Sequence, residues 1–250
     1  MKRRSFIQGK FTKLETEQSE NVTSGLEKYT GQFTQSQASH LLRRLTFGFP
    51  KEKIAEFTDL GLEASVNKLL DTASLLPKPT VPGTEISWME FPRDGANDTM
   101  YIRYVKAWWM QWLATPNPSI LEKMTVFWHN HFVSEAEIVN DSRYLYMQNV
   151  LLRSKALGNI KTLVQSITKD AAMLRYLNGN TNINGKPNEN YARELQELFT
   201  IGKGPEIAPG NYTHYSEADV QAAARVLTGW RKNINLDSKA VVRLNCNSFS

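Results

Sequence analysis

The sequence is poor in the residues that most simply fix a function. Its one cysteine, Cys246, excludes an intrachain disulfide and a zinc site built from several cysteines. No apolar run approaches the roughly eighteen residues that a membrane-spanning helix needs. An excess of one charge is missing from most of the chain as well. The formal net charge of +5 is supplied by Lys2, Arg3, Arg4, Lys10 and Lys13, which leaves 25 basic and 25 acidic side chains in residues 14–250. A nucleic-acid-binding domain carries its positive charge on a folded face, so no nucleic-acid partner is expected. The phosphate-binding, dinucleotide, zinc-protease and nucleophile-elbow signatures are all absent. No E-x-x-H pair occurs, which removes the usual ligand pair of ferritin-like di-metal bundles.

What is present is helical patterning. Thr34 and Gln37 have the spacing of a capping box, and Ala38, Leu41, Leu42 and Leu45 follow as a stripe. Pro50 can open a second helix that Gly61 ends, and Leu62, Val66, Leu69 and Leu70 mark a third. Residues 71–99 hold four prolines and read as a long irregular connection. Asp98 caps the next helix, which carries Tyr101, Tyr104, Val105, Trp108 and Trp112. Asn117 and Pro118 then read as a cap and first helical residue, before Ile120, Leu121, Met124, Phe127 and Trp128. Further helices are expected over 141–157, after the caps Asn159 and Asp170, from Pro187 to about Thr200, and after the cap pair Ser216 and Asp219. The result is an all-α fold, a compact domain of about nine helices with long polar loops and little or no sheet.

That domain spans residues 34–230. Residues 1–33 read as a flexible basic and polar tail. Residues 231–250 read as an extended segment at AVVRL, the start of a remainder cut off at NCNSFS. The first residues, MKRRSFIQGK, have the Arg-Arg-x-Phe-Ile form of a twin-arginine export signal, but the apolar stretch such signals require does not follow. The missing stretch points to the cytoplasm, the paired arginines to export.

Three polar groups stand out. His129 and His131 lie in FWHNHF with one residue between them. Two residues apart on a helix point about 200° away from each other. His131 shares the side of Met124, Phe127 and Trp128, and reads as a hydrogen-bonded core histidine. His129 falls on the side of Thr125 and Phe132, and reads as a surface or interface one. The alternative is that the helix ends nearby and an imidazole serves as a ligand or acid–base group. In NENYARELQELFTIG, Glu189, Arg193 and Glu197 sit four apart, so that Arg193 can bridge both acids. Asn190, Glu194 and Glu197 share a face. This is either a solvated salt-bridge ladder or a carboxylate pair able to bind a divalent metal or share a proton. His40, Arg43 and Arg44 form either a solvated helix face or a polar cluster around an acidic site.

The segments HLLRRLTFGFP (40–50), LEKMTVFWHNHFVSE (121–135), DAAMLRYLNG (170–179), NENYARELQELFTIGKG (188–204) and YSEADVQAAARVLTGW (215–230) occur in an order that resembles the bacterial domain of unknown function 1800 family. The resemblance covers roughly residues 34–230. It implies a large, mainly helical domain with no established activity. It also implies a longer chain that continues past the position of residue 250 with a histidine-aspartate motif, and export in many relatives. By resemblance, His40, His129, His131, Asn190, Arg193, Glu194 and Glu197 belong to recurring motifs.

Two readings of function follow. In the first, the protein is a hydrolase-type enzyme, with a divalent metal or acid–base chemistry. His129 and His131 are ligands or proton carriers, Glu194 and Glu197 ligands or a base, and Arg193 the group that orients them. His40, Arg43, Arg44 and Asn190 surround that site. In the second, the protein is a non-catalytic assembly or interaction protein, and the same motifs are packing clusters. The first requires an imidazole and a carboxylate to meet between the helix at 118–132 and that at 188–200.

Overall fold

A computed structural model describes residues 27–71, 76–92, 95, 97–232 and 241–243. The chain divides into two units, Met1–Gln32 and Phe33–Ser250. In the first, the described residues 27–32 are exposed, and the Tyr29 hydroxyl donates to the Gln32 carbonyl at 3.0 Å. The paired-arginine start and most of the expected tail lie outside the described residues.

The second unit is mainly helical, with ten α-helices among its described residues. Helix α1, Gln35–Leu45, opens with the expected capping box of Thr34 and Gln37. Helix α2 runs over Lys51–Leu70 and is broken inside at Gly61, where φ is 77°. Only glycine takes that conformation without strain, and the two halves fold alongside each other. The Ser65 hydroxyl then reaches back to the Phe57 carbonyl at 2.8 Å. The second and third expected helices are therefore both present and meet at Gly61, and are labelled together as α2. Leu42, Phe57 and Leu69 fill the seam between α1 and α2 with almost no exposure. Each such buried side chain stabilises by about 1.5–3 kcal/mol.

Helix α3, Asp98–Ala114, and helix α4, Leu121–His131, follow the irregular connection. Two expected caps differ here. Asn97 precedes α3, and Asp98 instead accepts from the backbone and hydroxyl of Ser142, the latter at 2.6 Å. Asn117 and Pro118 do not open α4. The chain stays irregular through Ser119, whose hydroxyl accepts from Leu121 N and donates to the Asp71 carbonyl. That tie fixes the α2–α4 junction and delays the helix by three residues.

Helix α5 is a short turn, Ala136–Val139, which the sequence pattern did not reveal. Helix α6, Ser142–Ser154, is capped by Asp141 and packs against α3, α4, α5, α7 and α8. Helices α7, Ile160–Ile167, and α8, Ala171–Tyr176, begin at the expected caps Asn159 and Asp170. The principal core of Phe132, Leu152, Leu163, Ile167, Met173, Tyr191 and Phe199 lies where these helices meet.

Helix α9 starts at Asn190, three residues after Pro187, because the Asn188 side chain accepts from Asn190 N at 3.0 Å. After Glu194 it widens into a π-helical turn, Leu195–Phe199. A two-strand hairpin follows, β1 at Glu206–Ala208 and β2 at Asn211–Tyr212, in a stretch that reads from sequence as a plain loop. Helix α10, Glu217–Val226, opens with the expected Ser216–Asp219 capping box. Strand β3, Trp230–Lys232, pairs antiparallel with β4, Val241–Arg243, inside the expected extended segment. Its remaining residues, 233–240 and 244–250, lie outside the described residues.

Candidate functional site

The two histidines of FWHNHF do point apart, and the buried side of α4 is broader than its apolar stripe predicts. Phe127 is 55% exposed, while Glu122 and Thr125 are buried. Helix α4 turns a polar row toward α3 and α6. The wide aromatic face of α3 and the polar face of α6 pair with that row, which outweighs simple patterning. His129 belongs to this row. It packs edge-on against Trp109 with ring centres 5.0 Å apart, and burial holds its imidazole below the usual range. Both imidazoles are half-buried: His129 lies in this polar row between helices, and His131 is hydrogen-bonded beside the core, as its place on the stripe predicts.

His131 sits at the last turn of α4 among Trp128, Phe132 and Phe199. Its Nε2 lies 3.2 Å from the Phe199 carbonyl. A carbonyl can only accept, so Nε2 carries the proton. Phe199 ends the helical run, so its carbonyl has no partner within the helix and is open to an outside donor. Helices α4 and α9 thus meet as the first functional reading requires, but the imidazole meets a backbone oxygen there. Among the described residues, neither imidazole has a carboxylate as hydrogen-bond or ion-pair partner.

The charged side chains of the 188–217 stretch pair mainly with one another. Arg193 makes a two-pronged bond to Glu217 on α10, both contacts 2.6 Å, and a third to Glu189 at 3.2 Å. These carboxylates raise the guanidinium further above its ordinary range, and the guanidinium lowers Glu217. The expected reach of Arg193 to Glu189 is present. Its second acid is Glu217 in place of Glu197. The Glu197 carboxylate accepts from the Tyr215 hydroxyl at 2.8 Å and lies 3.6 Å from Lys203. Burial first, then the hydrogen bond to Glu197 and its charge, push the Tyr215 phenol up to about 12. Glu194 is pushed up by burial first and by Glu197 second, with Arg193 opposing. It makes no hydrogen bond or ion pair among the described residues.

The remaining candidates are placed differently. Asn190, at the start of α9, is exposed, and its backbone amide is held by Asn188. His40, Arg43 and Arg44 are exposed on α1, with no ion pair or hydrogen bond among the described residues. No three His, Cys, Asp or Glu side chains are gathered so as to hold a metal ion among the described residues.

Sequence reasoning passed over a second polar layer. Glu122 and Arg153 form a buried two-pronged ion pair at 2.9 and 3.1 Å, and Trp109 donates to Glu122 at 3.3 Å. Burial raises the carboxyl and lowers the guanidinium, each against its partner's charge. One helical turn away, Ser134 donates to Gln148, and Gln148 donates to Asp170 at 2.9 Å. Asp170 also caps α8 through Met173 N. The only signal in the sequence was the run SRYLYMQNVLLRS, whose polar residues fall on every side of a helix.

A family model described as "Protein of unknown function (DUF1800)" matches residues 40–247. The chain belongs to that family. The match runs from the middle of α1 through β4, and takes in both FWHNHF and the Arg193 cluster. No curated protein and no solved structure matches this DUF1800 chain. No helix among the described residues is long and apolar enough to cross a membrane.

Proposed function

We propose that this DUF1800 chain is a non-catalytic assembly or interaction protein, and that Arg193, Glu189, Glu197 and Glu217 lock the α9–α10 corner. One observation carries the reading: Arg193 spends its guanidinium on Glu217 and Glu189, both inside the protein. Glu197 and His131 likewise have internal partners. The hydrolase reading, by contrast, needs an imidazole beside a carboxylate.

Exposed apolar side chains follow one another along the chain next to this corner. Leu198, Ile201 and Ile207 are 61%, 52% and 65% exposed within ten residues of chain. Exposed apolar side chains that adjoin one another are the kind of surface that a partner covers.

The test is equilibrium unfolding of Arg193→Met, Glu217→Gln and the double variant. The pair is about one-third exposed, so screening limits each loss to about 1 kcal/mol. The double variant should lose less than the sum of the singles, as coupled partners do. Singles without effect, or losses that simply add, overturn the lock.

A further inference from the structure

The irregular connection between α2 and α3 makes one side of an open cleft of about 750 Å³, within the range of small-molecule sites. Residues from the stretch 77–90 line that side. One stripe of α3 lines the other, with Tyr104, Trp108, Gln111 and Trp112. From Tyr104 to Trp112 the helix rises by about 12 Å. The irregular side is held in place. At one end Trp108 Nε1 donates to the Pro77 carbonyl at 2.9 Å. At the other, Trp88 is 1% exposed and its indole donates to the Ser142 hydroxyl at 3.1 Å. Between them Thr84 N donates to the Val81 carbonyl and Val81 N to that of Ile86, each at 3.0 Å. A cleft fixed in this way before a guest enters lowers the cost of binding.

The polar groups of the cleft are unspent, unlike those of the Arg193 corner. Lys78, Glu85, Glu90 and Gln111 are exposed and line it, and none of these side chains has a hydrogen bond or ion pair among the described residues. The Tyr104 hydroxyl and the Trp112 N–H on the half-buried aromatic side are likewise free among the described residues. In the free protein water satisfies such groups, so a guest must replace those bonds as it displaces the water. That requirement sorts the guests. An apolar guest replaces none of the bonds. An anion meets Glu85 and Glu90. A cation meets Lys78 and gives the Gln111 and Trp112 N–H groups nothing to bond. A peptide backbone brings one donor and one acceptor per residue. A pyranose ring brings several hydroxyls, each of them donor and acceptor at once, and a C–H face for the aromatic side chains.

We infer that the cleft between α3 and residues 77–90 is a binding site for a neutral oligosaccharide. Its hydroxyls donate to Glu85 and Glu90 and accept from Lys78 and Gln111, and a ring packs on Trp112. The site shares no residue with the Arg193 corner, and the inference does not depend on the corner's role.

Cellotriose and maltotriose, one straight and one curved, are the probes. The blocked peptide acetyl-Gly-Arg-Gly-amide is the cationic comparison. Binding to the full chain is measured by ligand-detected NMR titration. At least one of the sugars should bind with a dissociation constant of about 1 mM or tighter, and at least about tenfold tighter than the peptide. Glu85→Gln with Glu90→Gln alters two exposed side chains without partners, so melting should stay at the parent value while sugar binding weakens by about tenfold. Trp112→Leu should weaken it by about the same factor, and the double glutamine variant serves as the readout if the leucine variant does not fold. Failure of both sugars to bind overturns the inference. So does peptide binding as tight as that of the sugar, or sugar binding unchanged in the double glutamine variant.

Discussion

Asp170 gives the sharpest consequence of the polar interior. It is 7% exposed, and burial raises its carboxyl from an ordinary 3.8 to about 7, against the opposing bonds from Met173 N, Gln148 and Ala172 N. A folded-state value raised in this way favours the protonated acid in the native protein. Its contribution to stability is therefore full below about pH 3.8 and is lost as pH rises through about 7. A shift of about 3 units at ~1.36 kcal/mol per unit makes the loss about 4 kcal/mol. Asp170→Asn keeps an acceptor for Met173 N and removes the titration. Urea unfolding of parent and variant should be followed by circular dichroism at several values between about pH 4 and 8. The variant should gain on the parent by about 4 kcal/mol across that range, with most of the change before about pH 7. A difference that stays flat would mean that Asp170 ionises near its ordinary value, and the account of this buried acid would be wrong.

Two further outcomes follow from the packing. Arg153→Met leaves the Glu122 carboxylate buried without its partner and should cost about 3–5 kcal/mol in thermal unfolding, whereas adding Glu122→Leu should recover much of that loss; equal losses for the single and double variants would argue against a desolvated pair. Gly204 has φ of 70°, and a side chain there would run into Thr213 Oγ1 and the His214 ring. Gly204→Ala should therefore cost about 1–3 kcal/mol, and a neutral effect would show that the approach to β2 is looser than described.

Much of the helix plan is legible in the sequence because local chemistry sets it. The Thr34–Gln37 and Ser216–Asp219 boxes and the caps Asn159 and Asp170 act within one turn of chain. The misplaced starts had tertiary causes. Asp98 is engaged by Ser142, 44 residues away, and Ser119 is tied to Asp71, 48 residues away. The site was legible as a list of residues and less so as contacts. Spacing finds the Arg193–Glu189 pair, but Glu217 arrives from α10 and takes the stronger contact. The apolar stripe of α4 places His131 beside the core but misses the half-burial of His129, since the side facing α6 is set by Arg153 meeting Glu122. No periodicity in α4 alone carries that information.

The central claim is that the motif side chains hold the α9–α10 corner and not a metal ion. Its most direct test is the metal content of the purified full chain, with melting measured before and after a chelator and after added zinc, manganese or magnesium. The account predicts substoichiometric metal and melting that the chelator and added ions leave unchanged. Stoichiometric metal that raises the melting temperature, and that is lost in Glu194→Gln with Glu197→Gln, would contradict it.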